Sequence, residues 1–285
     1  MHIQKHAPRF IGIGGKGTGL ALLTRLLEAH PDVHGPLPNA GFFCVEASKR
    51  ENIMVYEKAL ALTSPMPKSG ECCPDYLTNQ GAATCIANAY PDAKLFAIVR
   101  NPIDRAISEY VHVKATRQIP ASVSCAQYMT NHPSAQTDGF YAKHLNQYFG
   151  FYSPLQLYVI VYEDFIKDPL VSIQKLYDFL ELKKDFIPKQ LEAFAPPPDE
   201  PIHPGRIKRL IRFIISRVKK LHPKKVQGPI APPAPLPTQF LSPEELAIFK
   251  ATFASDAAQL THLLHRDMVV EWNLGIDTPL ESVSK

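Results

Sequence analysis

Three short runs dominated by apolar residues, at 10–13, 95–99 and 155–162, stand between longer stretches of helical periodicity. Apolar runs of this length, bounded by turn residues, predict strands buried on both faces. Apolar positions three and four apart predict helices over 20–29, 51–62, 78–90, 139–150, 168–180 and 242–265. The helix at 168–180 places Leu170, Ile173, Leu176, Tyr177 and Leu180 on its core stripe. The last helix opens with Ser242-Pro243-Glu244-Glu245, a capping-box spacing with proline at the first helical position. It is expected to bury Leu246, Phe249, Phe253, Leu260 and Leu264, and Trp272 to pack against the body. Proline, glycine and asparagine mark 31–45 as a loop, 71–76 reads as a compact turn, and 117–137 as irregular or weakly helical. Strands alternating with helices predict a three-layer α/β/α fold on a mainly parallel sheet.

The first strand runs into Gly14-Gly15-Lys16-Gly17-Thr18-Gly19 and then into the first helix. Glycines let the backbone approach a ligand, and a helix N-terminus favours an anion. Lys16 adds a full positive charge. Three chemistries fit in principle. A Walker A loop needs Ser or Thr directly after the lysine to bind Mg²⁺, and Gly17 stands there. The dinucleotide fingerprint matches at Gly12, Gly14 and Gly17, but its acidic partner falls on Asp32, just past a helix end. The third is an anion cradle that uses no metal.

A second unit, Lys94 to Tyr110, reads as a buried strand followed by a helix capped by Asn101 with Pro102 at its first position. Arg100 then sits at the C-terminal edge of the sheet, and Ser108 two turns into the helix. A guanidinium offers a planar, two-pronged donor that suits a phosphate. The alternative is an arginine paired with Asp104 or Glu109. His144 reads as a core or helix-face histidine.

The chain of 285 residues is 45% hydrophobic, enough for one large core. It has no apolar run long enough to span a bilayer, and residues 1–10 lack a signal-peptide core. Five cysteines without C-x-x-C spacing predict neither a disulfide framework nor a zinc site. These features predict a cytoplasmic setting, with peripheral contact at the inner membrane face. The net charge of +4 is unevenly spread: nine basic residues and no acidic one lie between Arg206 and Lys225. Over 206–221 the apolar positions form one stripe with basic residues around it. This helix is expected as a lid, an acceptor-recruiting surface or a contact with an anionic membrane, or else packed on the body. Nucleic acid is not an expected partner.

Four stretches in this order resemble the sulfotransferases that use 3′-phosphoadenosine 5′-phosphosulfate (PAPS). They are the Lys16 loop, Gly70-Glu71 with Pro74 and Tyr76, the run from Arg100-Asn101-Pro102 through Arg105, Ser108 and Tyr110, and the segment 139–180. The end, 263–272, is similar to that of many bacterial members. The resemblance implies a P-loop-like nucleotide-binding fold over a single domain, 1–285, with a Pro-rich and basic insertion at 196–240 on the lid or acceptor side. It implies sulfuryl transfer to a hydroxyl of a carbohydrate, glycolipid or small metabolite by in-line displacement without a metal, leaving 3′-phosphoadenosine 5′-phosphate (PAP). Gly14, Gly15, Lys16, Gly17, Thr18 and Gly19 would hold the 5′ end, with Lys16 on the leaving phosphate; Arg100 and Ser108 would hold the 3′-phosphate.

The chain departs from the family in three places. Its loop reads Lys-Gly-Thr-Gly rather than Lys-x-Gly-Thr. Asn39 or its neighbours stand where the carbohydrate-sulfating branch has a glutamate before the Phe-Phe pair, here Phe42-Phe43. Cys72 replaces a lysine common in the eukaryotic branch. The base that accepts the hydroxyl proton is therefore sought in Glu46, Glu71 and His34, with Glu46 preferred; Glu71 also reads as structural, pairing with a cation of the donor site. A non-catalytic nucleotide-binding protein or a P-loop kinase are the alternative functions.

Overall fold

Side-chain alternation along four short strands sorts the core into two layers. The computed structural model describes residues 7–33, 40–45, 52–63, 70–194 and 240–275. Strands β1 (Phe10–Gly14), β2 (Gly70–Cys73), β3 (Lys94–Val99) and β4 (Leu157–Val161) form one parallel sheet in the order β2-β1-β3-β4. Register aligns Gly12 with Cys72 on one side and Phe96 on the other. Ile11, Ile13, Cys73, Leu95, Ala97 and Val99 face one core layer; Phe10, Cys72, Phe96, Ile98 and Ile160 face the other. Continuous apolar sequence is what a strand covered on both faces requires.

The second of these layers is closed by α1 (Leu20–Glu28), α8 (Tyr162–Lys167) and α9 (Pro169–Phe179). The first is closed by α2 (Ile53–Thr63), α3 (Ala82–Ala89), α4 (Pro102–Ala115), α5 (Cys125–Asn131), α6 (Pro133–Thr137), α7 (Tyr141–Phe149) and α10 (Pro243–Leu264), with a last turn, α11, at Met268–Glu271. The sheet between two helical layers agrees with the expected three-layer fold. The Ser242–Glu245 capping box is present at the start of α10, and Phe249, Phe253, Leu260 and Trp272 are buried, whereas Leu246 and Leu264 are half-buried.

Four expectations need correction. Residues 71–73 are not a turn but part of the edge strand β2; only Pro74–Tyr76 is a tight 3₁₀ turn. A Cβ at Gly70 would meet the Phe10 ring at 2.2 Å, so glycine opens a strand here by letting a ring lie on it. Helix α3 starts at Ala82 rather than 78, because Asn79 Oδ1 accepts from the Gly81 and Ala82 N–H groups and holds a turn. The stretch 117–137 contains two helices, the first with a Ser124–Gln127 capping box. Leu170 is exposed although it shares the helix face of Ile173 and Tyr177, since it lies in the first turn of α9. His34, Asn39, Glu46 and the basic stretch 206–225 lie outside the described residues, as does 196–240 up to its last residue, Phe240.

Strand order sets the site. The connection leaving β1 runs to one side of the sheet, and that leaving β3 to the other. The crevice between their C-terminal ends is the switch point at which open α/β sheets bind ligands. Lys16 follows β1, and Arg100 follows β3.

Candidate functional site

The loop between β1 and α1 is built for close approach. Gly17 (φ 79°) and Gly19 (φ 103°) occupy the left-handed region, where a side chain is strained. A Cβ at Gly17 would lie 2.8 Å from the Arg105 carbonyl oxygen, and one at Gly19 would lie 2.9 Å from the Tyr162 ring. Thr18 is fully buried and its Oγ1 donates to the Gly15 carbonyl at 2.7 Å. Its hydroxyl therefore closes the loop from within. Gly14 ends the strand against Leu20, where a Cβ would sit 3.0 Å from Leu20 Cβ. Gly12 serves sheet packing: a Cβ there would meet Phe96 at 2.6 Å and Cys72 Sγ at 2.7 Å. Asp32, the acid that a dinucleotide site would require, instead accepts from the Lys183 N–H at 3.3 Å. The Leu22 and Leu23 N–H groups both donate to the Gly19 carbonyl, at 3.0 and 3.3 Å, and the N-terminus of α1 adds positive potential beside the loop.

Lys16 projects from this loop to Asp75, Nζ to Oδ1 2.8 Å, with the two side chains 55% and 48% exposed. The hydrogen bond that Lys16 donates to Asp75 holds the ammonium above the ordinary lysine range. Asp138 and Glu109 add their negative charge to the same group.

Arg100 is buried, and its Nη1 donates to the Gly17 carbonyl at 3.1 Å. Its guanidinium carbon lies 4.5 Å from the centre of the Tyr162 ring. The expected alternative, a pair with Glu109, falls to Arg105 instead, Nη1 to Oε2 2.8 Å. The turn that carries Arg100 is locked from three elements. Asn101 Oδ1 accepts from Ile103 N–H at 3.0 Å, and its Nδ2 donates to the Trp272 carbonyl at 3.0 Å. Glu163 accepts from Asn101 N–H at 2.9 Å and from the Trp272 indole at 3.1 Å. Ser108 lies half-buried on α4. Asp104, also near Arg100, is pushed up to about 6 by burial, with Arg100 pulling the other way.

Glu71 is fully buried in the layer behind Lys16. Its carboxylate accepts from the Tyr56 hydroxyl, from the Tyr76 hydroxyl at 2.9 Å and from Ala40 N–H at 3.0 Å. Burial pushes it above the usual carboxylate range, against the pull of those donors. Glu71 thus has no exposed surface, and its oxygens are engaged by tyrosine hydroxyls and a backbone amide, the surroundings of a structural anchor. Tyr76 also accepts from Phe43 N–H at 3.3 Å, so the 40–44 loop hangs on this network. Cys72 turns to the α1 layer beside Thr24, and burial pushes its thiol up to about 12. His144 is buried with Nε2 2.8 Å from the Thr137 carbonyl, as a core histidine would be.

The structure therefore brings together Gly14 to Gly19, Lys16 and Arg100, with Ser108 on the next helix. It adds three residues to which the sequence alone assigned no role. Asp75 follows a strand end directly beside the loop; Arg105 braces the loop from below; Glu163 locks the Arg100 turn. The position of Asp75 between Pro74 and Tyr76 was the one signal available for it. Two anionic groups can be held side by side here, one by the Lys16 loop and one by Arg100.

Residues 86–195 match the family model described as a sulfotransferase domain, a range that takes in Arg100, Ser108 and Glu163. Mouse (Mus musculus) heparan sulfate glucosamine 3-O-sulfotransferase 3B1 is 30% identical over 188 residues, 64% of this chain and 48% of the relative. The human (Homo sapiens) 3A1 enzyme of the same name is also 30% identical over 188 residues, 64% of this chain and 46% of its own. The chain thus spans about half the length of these curated relatives. In three dimensions it is similar to a sulfotransferase from Alicyclobacillus acidocaldarius, with a TM-score of 0.66 and 23% identity, covering 94% of this chain and 99% of that one. It is also similar to a mouse sulfotransferase complexed with PAP, with a TM-score of 0.53 and 15% identity over 90% of this chain and 88% of that one.

Proposed function

Because the chain belongs to the sulfotransferase family, we propose that it transfers a sulfuryl group from PAPS to a hydroxyl of a carbohydrate, glycolipid or small metabolite. The observation that carries this reading is the seat of Arg100 on the Gly17 carbonyl, 3.1 Å away. It couples a second anion site to the loop that bears Lys16, and a donor with phosphates at both the 5′ and 3′ positions needs two. The PAP-bound mouse neighbour supports the same donor. The relatives named for heparan sulfate glucosamine support a carbohydrate acceptor.

In this reading the loop amides and Lys16 offset charge as it builds on the leaving 5′-phosphate. Arg100 and Ser108 hold the 3′-phosphate. The displacement proceeds in line and without a metal; Gly17 stands where a Mg²⁺-binding hydroxyl would be, and the Thr18 hydroxyl is spent on Gly15. The basic stretch 206–225 recruits an anionic acceptor or a membrane surface at the cytoplasmic face. Alanine replacement of Arg209, Arg212 and Lys220 is expected to weaken salt-sensitive binding to anionic vesicles; unchanged vesicle and donor binding would remove both roles.

Calorimetric titration with PAP, ADP and NAD in the absence of metal tests the donor. PAP is expected to bind, with affinity lost in Arg100→Ala and reduced in Lys16→Ala. No PAP binding, or a preference for ADP with Mg²⁺ or for NAD, overturns the reading. Steady turnover of PAPS separates an enzyme from a non-catalytic member of the same fold.

A further inference from the structure

The reaction proposed above needs a group that takes the proton of the acceptor hydroxyl, and the strand order says on which side to look for it. Arg100 and Ser108 follow β3, on one flank of the Lys16 loop. A donor anchored there by its 3′-phosphate leaves the other flank, that of β2, for the acceptor. The residues on this flank are the 40–45 loop, Glu71 and the Pro74–Tyr76 turn.

Four carboxylates surround Lys16 and the β2 flank among the described residues. Glu71 has no solvent exposure and is engaged by two tyrosines and a backbone amide. Glu109 is 11% exposed and is held by Arg105 at 2.8 Å. Asp138 is 9% exposed and lies with Arg105 and Glu109 on the α4 side of the loop. The Asp75 side chain is 48% exposed, touches Lys16 at 2.8 Å and stands on the β2 flank. It is the one of the four that an incoming hydroxyl can reach while a sulfuryl group sits on the loop.

We propose that Asp75 is the general base of this chain, taking the role that a glutamate ahead of the Phe42-Phe43 pair would have filled. This rests on the function proposed above. The acceptor O–H proton passes to the Asp75 carboxylate as the acceptor oxygen forms its bond to sulfur. The bond from sulfur to the 5′-phosphate oxygen breaks, and its electron pair leaves on PAP. Lys16 stands between the two events: its ammonium offsets the charge on the leaving phosphate and orients the carboxylate beside it. After product departs, Asp75 returns the proton to water.

The test uses two acceptors that differ in whether a proton must be removed. Water, attacking PAPS to give PAP and sulfate, must lose one; p-nitrophenol, assayed at a pH where it is already ionised, need not. PAP release is measured for wild type, Asp75→Asn, Asp75→Glu and Glu46→Gln, with calorimetric PAP affinity measured on each. Asp75→Asn is expected to lower the water reaction about 100-fold, the low end for general base catalysis. The ratio of the water rate to the phenolate rate is expected to fall by a similar factor, and Asp75→Glu to restore part of it. Equal losses with both acceptors would make Asp75 a positioning residue for Lys16 and overturn the proposal. No loss, or the same split in Glu46→Gln instead, would also overturn it. Wild type that binds PAP but releases none from PAPS with either acceptor overturns the base while leaving the donor site standing. Wild type that does not bind PAP overturns the function itself.

Discussion

Arg105 and Lys16 are joined through the backbone: the Arg105 guanidinium, with no solvent exposure, donates from Nη1 to the Lys16 carbonyl oxygen at 3.2 Å. The same guanidinium pairs with Glu109 and donates to the Ala135 carbonyl. A single buried cation thus ties the anion loop to α4 and to the middle of α6. Buried ion pairs are poor evidence of net stability, but breaking one by removing a partner strands the other charge.

Arg105→Met is therefore expected to lower stability by about 3–5 kcal/mol, since it takes the cationic partner from the Glu109 charge in a nearly dry site. Urea denaturation measures it. Glu109→Gln in the same background should recover part of the loss, because it removes the stranded charge. A stability change under about 1 kcal/mol in Arg105→Met would contradict the bracing role.

Gly17→Ala separates loop geometry from loop charge. Its φ of 79° costs a side chain about 1–2 kcal/mol, and the Arg105 carbonyl 2.8 Å from the new Cβ cannot rotate away. The loop must shift, and the Arg100 contact to the Gly17 carbonyl shifts with it. PAP affinity measured by calorimetry should fall about tenfold or more. Gly41→Ala is the comparison: its φ is also positive, at 61°, but nothing lies within 4 Å of the added Cβ. It should show the strain without the collision.

The parts of this arrangement legible in sequence are those fixed by local pattern. The strands β1, β3 and β4 announce themselves as apolar runs because both faces are covered. Asn101-Pro102 and Ser242 announce helix starts through the hydrogen-bonding chemistry of their side chains. Edge strand β2 does not, since four residues beginning Gly-Glu show neither a run nor an alternation. Its Glu71 is tolerated in the core only because Tyr56, 15 residues earlier, and Tyr76 donate to it. Asp256 is opaque for the same reason. It accepts from Ala142 and Lys143 N–H groups at 3.0 Å and caps α7 from a helix 114 residues away. The Lys16–Asp75 pair likewise joins two loops that only the β1–β2 register makes neighbours.

Glu71 distinguishes an anchor from a base. Glu71→Gln keeps an oxygen for Ala40 N–H and Tyr76 and offers Tyr56 a donor, so PAPS turnover should stay within a few-fold of wild type. A base would lose about 10²–10⁴-fold with the same change. Glu71→Ala leaves the Tyr56 hydroxyl and Ala40 N–H without their partner, at about 1–3 kcal/mol for each group left buried and unpaired. Thermal denaturation should show that loss, and protease sensitivity should rise near the 40–44 loop.

Asp104 gives the protein a pH dependence whose sign follows from burial. Its carboxyl is pushed up to about 6, with burial the largest cause, the Arg100 charge opposing it and Glu163 reinforcing it. An unfolded aspartate titrates near about 3.9. The folded state therefore binds the proton more tightly than the unfolded state. The stabilising contribution is complete below about 4 and is lost as the pH rises through about 6. Asp104→Asn should flatten the fall in stability between those values and leave the variant more stable than wild type at pH 7 to 8, by roughly 2 kcal/mol at most. The same substitution removes a negative charge near Arg100, where the 3′-phosphate is proposed to bind. PAP affinity should rise relative to wild type above about pH 6 and converge with it below about pH 5. Calorimetry across that range checks both limbs, and a gap that widened toward acid would mean that Asp104 is not the group that titrates.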